Sequence, residues 1–199
     1  MLYQIAHILR DRFSWLWNIL GVVLSWLFSI RYGRRLKQIP IVLSKHSQQN
    51  PFGLSLEALS RENVSALAKM LSEQPDEAFT YFRPHGFSLK ALSVLVRDSG
   101  FLAFVVKDGD QVVGYIFQRS FFWGKAYRGY ITDYRWQRRG INKMMNTCVT
   151  EISSLLGLKV YGTISPANVA SLKSAESANE VKVVKTLKNG DYFVQYLQK

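Results

Sequence analysis

One stretch constrains this chain more than any other. An apolar, aromatic run from Ala126 to Tyr134 leads into Gln137-Arg138-Arg139-Gly140-Ile141-Asn142-Lys143, and an amphipathic run from Ile141 to Leu158 follows. The first run reads as a strand and the last as a helix, joined by a basic turn that contains glycine. The first turn of a helix has backbone N–H groups without intrahelical partners, and the helix dipole makes that end positive. A phosphate can take those N–H groups. Arg138, Arg139 and Lys143 add full charges around it, and Gly140 leaves the backbone open to close approach. Neither the dinucleotide glycine pattern nor the P-loop is present, so the turn implies an anion without naming it.

The surrounding order of elements narrows the choice. Phe52–Leu59 alternates as a strand, and Ser60 caps a helix over Arg61–Ser72. A loop around Pro84 and His85 leads to a second helix, Leu89–Arg97, capped by Ser88. Phe101–Lys107 and Gln111–Phe121 form a hairpin across Asp108-Gly109-Asp110. After the long helix come a strand over Lys159–Ile164 and a short helix over Asn168–Ser177. A final hairpin, Val181–Leu187 with Tyr192–Leu197, turns at Asn189-Gly190, for which a type I′ turn is expected. Cys148 steps in with Ile141, Met145, Ile152 and Leu155 on one helix face, so it is expected in the core; with no second cysteine there is no intrachain disulfide.

With Gln137, Gly140 and Asn142 in its defining places, the basic turn resembles the Q/R-x-x-G-x-G/A signature of the GNAT N-acetyltransferases. The β-α-α-β-β-β-α-β-α-β-β order from residue 52 onward is similar to that family's fold. Asn168-Val-Ala-Ser171 looks like its N-x-x-A/S segment, although Asn168 also suits a plain N-cap. The resemblance implies an α+β fold, with a mixed, mostly antiparallel central sheet flanked by helices. It also implies acetyl-coenzyme A as co-substrate, no metal, and N-acetyl transfer. The cofactor would be held by Ile131, Thr132 and Asp133 at the end of the fourth strand, by Gln137 to Lys143 including Ile141 and Asn142, and by Asn168. Three departures stand out. Asn142 replaces the usual Gly or Ala, Ala175 stands where many members carry a tyrosine general acid, and Asn179 replaces a glycine, as asparagine can where a left-handed residue ends a helix. His85 and Asp133 are the candidate bases, and Tyr130, Tyr134 and Tyr161 the remaining hydroxyl acids. The competing reading is a non-catalytic acyl-coenzyme A sensor or scaffold.

The N-terminal quarter has its own character. Phe13–Ile30 is eighteen residues without a charge, about 27 Å as a helix. Residues 1–50 carry seven Lys/Arg and one Asp, half of the chain's net +12. Arg31, Arg34, Arg35 and Lys37 come directly after the apolar run, a bias that keeps the C-terminal domain cytoplasmic if the helix spans a bilayer. Gln4, His7, Asp11, Ser14, Asn18, Gly21, Ser25 and Ser29 recur at steps of three and four. That stripe suits an in-plane helix or packing on a second copy of the chain. The expected organisation is therefore a membrane-associating helix over 1–31, a basic linker over 32–51, and an acetyltransferase-like domain over 52–199 that folds when the chain begins near Ser47. The expected acceptor is a small-molecule or lipid-linked amine, such as a lipid- or nucleotide-linked amino sugar, with a protein amine as the rival. No nucleic-acid signature is visible.

Overall fold

The computed structural model describes residues 14–199, with side chains from Ile19 onward; Gln4, His7 and Asp11 of the polar stripe lie outside that range. Seven strands form one sheet in the order β1-β2-β3-β4-β5-β7-β6. They are β1 (Ser55–Ala58), β2 (Phe101–Asp108), β3 (Gln111–Ser120), β4 (Lys125–Thr132), β5 (Lys159–Ile164), β6 (Glu180–Thr186) and β7 (Tyr192–Leu197). Every pairing is antiparallel except β4 with β5. The helices are α1 (Ser14–Leu36), α2 (Ile39–Gln49), α3 (Val64–Ser72), α4 (Leu89–Leu95), α5 (Ile141–Leu156) and α6 (Val169–Ala178). The mixed α+β class and the order of elements along the chain match the sequence expectation.

The parallel pair is short. Its register runs Lys125–Lys159, Ala126–Val160 and Tyr127–Tyr161, and there it stops, although both strands continue. Beyond Tyr127 the two strands diverge and leave a gap in the sheet. Side chains alternate across β4. Ala126, Arg128 and Tyr130 face α5 and α6, whereas Ile131 belongs to the core on the opposite face. The larger core lies on the α5 side and the smaller one under α3 and α4.

Helix α5 begins at Gly140 and ends at Gly157, both left-handed, with φ of 77° and 71°. Gly157 closes the helix through N–H bonds to Ser153 and Ser154, which stops it two residues before the expected Leu158. Ile141, Met145, Cys148, Ile152 and Leu156 are buried. A Cβ at Gly114 would stand 2.9 Å from the Ile141 methyl and 3.1 Å from the Met145 sulfur. That glycine on β3 lets the first turn of α5 settle against the sheet. The final hairpin differs from expectation. Gly190 alone is left-handed, Gly190 N–H bonds Leu187 and Leu187 N–H bonds Asp191, so the turn is a three-residue loop closed by glycine rather than type I′.

The segment expected as a linker is part of the domain. Pro40 sits in the first turn of α2, where its missing N–H costs nothing and its fixed φ favours a helix start. Ile39, Val42 and Leu43 are buried, as are Phe28 and Tyr32 from α1, all within the larger core. Arg35 Nη1 donates to the Leu156 carbonyl at 3.1 Å and Arg31 Nη1 to Phe122 at 2.7 Å. Lys45 and His46 both reach Glu151 of α5. A chain beginning at Ser47 would lose all five core side chains, against the sequence expectation. The spanning helix is also corrected: no helix among the described residues is long and apolar enough to cross a membrane.

Candidate active site

A cleft of about 1280 Å³ opens where β4 and β5 part. At one end lies the turn before α5. Arg138 and Gly140 are both left-handed, with φ of 62° and 77°, which folds the chain tightly and opens α5's first N–H groups toward the cleft. An added Cβ at Gly140 would meet only Phe52, at 3.8 Å, so glycine is demanded there by backbone angle more than by space. Gln137, Arg138, Gly140, Ile141, Asn142 and Lys143 line the cleft. Arg139 does not; its guanidinium stacks on Trp136 with 4.6 Å to the ring centre. Asn142 carries its side chain to β4, where Thr132 Oγ1 donates to its Oδ1 at 2.7 Å. The atypical residue thus ties the helix start to the strand end.

At the other end Asn168 caps α6, accepting from Ser171 N at 3.0 Å. Its Oδ1 is occupied in the cap, Nδ2 has no partner among the described residues, and Asn168 lines the cleft. Between the two ends runs β4. Asp133 N donates to the Val113 carbonyl. Antiparallel alternation then commits the N–H of Ile131 to β3 and turns those of Tyr130 and Thr132 toward the gap. Of the three strand-end positions named from sequence, Thr132 alone keeps a cleft-facing N–H.

Neither candidate base reaches the cleft wall. Asp133 is fully buried, with Oδ2 2.6 Å from Arg135 Nη2 and Oδ1 accepting from Arg135 N and Nε. Burial opposes its charge, but these bonds to Arg135 outweigh it and hold the carboxyl below the usual carboxylate range. It caps the short turn after β4 and clamps Arg135. His85 sits in a box of Phe87, Phe101, Tyr115 and Phe117, with ring centres 5.3–5.9 Å away. Its Nδ1 lies 3.0 Å from the Gly86 carbonyl, which can only accept, so Nδ1 carries the proton and Nε2 accepts from the Tyr115 hydroxyl at 3.0 Å. Burial holds this imidazole below its ordinary value, against the Gly86 bond.

One group escaped the sequence reading. Arg128, buried, spans the α5 interface through Asn146 Oδ1 (3.3 Å), Thr150 Oγ1 (2.9 Å) and Ser153 Oγ (3.3 Å), under the Tyr196 ring at 5.0 Å. Burial pushes its guanidinium down to about 10, so it remains charged at neutrality with no carboxylate partner among the described residues. The signal was a lone arginine inside an aromatic strand. Asn179 joins this network, accepting from Thr150 and donating to Ala175; its φ of −135° is extended, so it does not stand in for a left-handed glycine. Tyr130 reaches across the gap to Ser171, 3.2 Å from its carbonyl and its hydroxyl. Ala175 is buried and Cys148 is enclosed, its thiol pushed up to about 12 by burial, which makes it inert. No three His, Cys, Asp or Glu side chains among the described residues are placed to hold a metal.

No protein-family model and no curated protein sequence matches this chain. Solved structures do. The GNAT domain of S. lividans PAT superposes with a TM-score of 0.61 at 12% identity, over 72% of this chain and 89% of that one. The PaiA N-acetyltransferase from Thermoplasma acidophilum, in complex with coenzyme A, gives 0.62 at 13% identity, over 73% and 99%. The spermidine N-acetyltransferase from Vibrio cholerae, in complex with CoA and spermine, gives 0.56 at 20% identity, over 73% and 95%. The chain therefore has the GNAT fold.

The His85 geometry carries a pH signature. The unfolded chain binds a proton there more readily than the folded one, so this contribution is complete above the ordinary imidazole value of about 6.5 and lost as pH falls below it. Melting temperature should drop between about pH 7.5 and about pH 5.5, and drop less in His85→Gln. An identical pH dependence in the variant would show that His85 titrates freely.

Proposed function

We propose that this chain is an acetyl-coenzyme A-dependent N-acetyltransferase acting on an amine. The observation that carries the proposal is the alignment of three donor sets along one cleft. These are the left-handed basic turn at the start of α5, the unpaired N–H groups of Tyr130 and Thr132, and Asn168 Nδ2. They match, in order, a pyrophosphate, an extended polar arm and its carbonyls. Bound acetyl-coenzyme A would supply the thioester that an amine attacks and the thiol that leaves. The chain's part is to orient the two partners and to offer strand N–H groups where negative charge gathers on the carbonyl oxygen. Tyr130 sets a phenolic hydroxyl against Ser171 of α6, the helix on which Ala175 offers none. With Asp133 and His85 both engaged elsewhere, deprotonation of the amine falls to water in the open cleft. General base catalysis contributes only about 10²–10⁴-fold, so orientation and the N–H donors retain most of the rate.

In calorimetry, acetyl-coenzyme A should bind the wild type and fail to bind Gly140→Asp, which places a carboxylate and a strained φ at the phosphate turn. Arg138→Ala should weaken binding by about 1–3 kcal/mol. Undiminished affinity in the Gly140 variant would refute the proposed site. Tight binding without turnover of any amine would favour the sensor.

We further infer that α1 rests in the plane of an anionic bilayer. Ile19, Val22, Val23, Trp26 and Ile30 recur at steps of three and four, and all are exposed. Exposed Arg31, Arg34 and Lys37 come next on the same helix or just past it. Trp123, at the hairpin tip beside Arg31, is exposed as well. The chain should co-sediment with phosphatidylglycerol-containing vesicles and less with phosphatidylcholine alone, and Trp26→Glu should reduce the bound fraction. No binding at low salt would end this inference.

A further inference from the structure

The cleft's charges do not suit a polycationic acceptor. Arg83, Arg119, Arg128, Arg138 and Lys143 line it, against the single carboxylate of Asp191. Arg138 and Lys143 stand at the phosphate turn, and Arg128 is committed to its buried network on the α5 side. Arg83 and Arg119 remain, and both belong to the opposite face of the sheet. Arg119 pairs across the ladder with Tyr127, and lies two residues from Phe117, so the two side chains share a face. Phe117 covers Gly129, where an added Cβ would stand 2.6 Å from the ring, and it packs on Phe82 at 6.3 Å, next to Arg83. Arg83 and Arg119 thus both line the cleft, one beside Phe82 and the other on the face of Phe117, whose rings touch.

Neither arginine forms an ion pair among the described residues. Arg83 makes one bond, from Nε to the Phe79 carbonyl at 3.3 Å, and Arg119 makes no side-chain bond among those residues. A single exposed arginine is ordinarily just solvated. Two on one cleft wall, with one carboxylate in the whole lining, set a positive potential that repels polyamines and attracts anions. The spermidine N-acetyltransferase neighbour was solved with spermine, and an aminoglycoside acetyltransferase neighbour with kanamycin, both polycations.

We propose that the acceptor amine carries a phosphate and that Arg83 and Arg119 bind it, fixing substrate class. The phosphate is either that of a small soluble amine or that of a lipid headgroup; guanidinium recognition is the same for both. The proposal rests on the acetyltransferase reading above.

The test uses the full chain, acetyl-coenzyme A and matched acceptors: glucosamine with glucosamine 6-phosphate, ethanolamine with phosphoethanolamine, and phosphatidylethanolamine in vesicles, beside spermine and kanamycin. The phosphorylated member of a pair should be preferred in kcat/KM by about tenfold or more. Preference for the vesicle form over phosphoethanolamine would assign the lipid source, and the reverse the soluble one. Arg119→Glu should abolish or invert the preference and leave acetyl-coenzyme A affinity unchanged. A wild type that favours spermine or kanamycin, or ignores the phosphate, overturns the proposal. Calorimetry of phosphoethanolamine with the wild type and Arg119→Glu separates the two readings. If acetyl-coenzyme A does not bind, the acetyltransferase reading falls, while phosphoethanolamine binding lost in Arg119→Glu still supports the two-arginine site. Equal binding by both proteins refutes that site.

Discussion

The structure turns on hydrogen bonds that are not made. Past Tyr127 and Tyr161 the β4–β5 ladder ends, and the sheet must hold itself open in its own middle. Two features keep it so. Tyr196 of β7 lies across Gly162, where an added Cβ would stand 2.6 Å from its hydroxyl oxygen. Arg128 binds the departing edge of β4 to α5 through three neutral side chains. A guanidinium without a carboxylate partner is costly to bury, and three hydrogen bonds plus the Tyr196 ring offset that cost only in part. The alternative, an apolar residue, would leave Asn146, Thr150 and Ser153 without that partner in a closed core.

The gap gives the neighbouring elements their meaning. Unpaired strand N–H groups are a liability in a sheet, and here they face a cleft with a helix N-terminus at one end and a capped helix at the other. The tie from Thr132 to Asn142 and the close approach at Gly114 bring α5's first turn to the strand end. An anion at that turn and a polar arm in the gap would satisfy both sets of groups together.

Much of this was legible in the sequence because it rests on local patterns. The order of elements along the chain, the basic turn, the cap at Asn168 and the buried face of α5 each follow from spacing or from a residue's backbone preference. What the sequence hid depends on distant partners. Residues 39–49 look like a linker because Pro40 and polar residues surround a short apolar run, yet Ile39, Val42 and Leu43 find the core. His85 and Asp133 have the right chemistry for bases, but Tyr115 and Arg135 claim them. Arg83 and Arg119 lie far apart in sequence, and the folded chain brings both to one cleft, where Phe82 packs on Phe117.

Hydrogen exchange with and without acetyl-coenzyme A tests the central claim, that the β4–β5 gap and the start of α5 form one ligand site. The account predicts slowed exchange in two segments together, the amides of Tyr130 and Thr132 and those of residues 138–144, with Ile131 and Asp133 little changed because β3 already holds them. Binding that protects neither segment, or protects the turn while Tyr130 and Thr132 exchange as before, would contradict it.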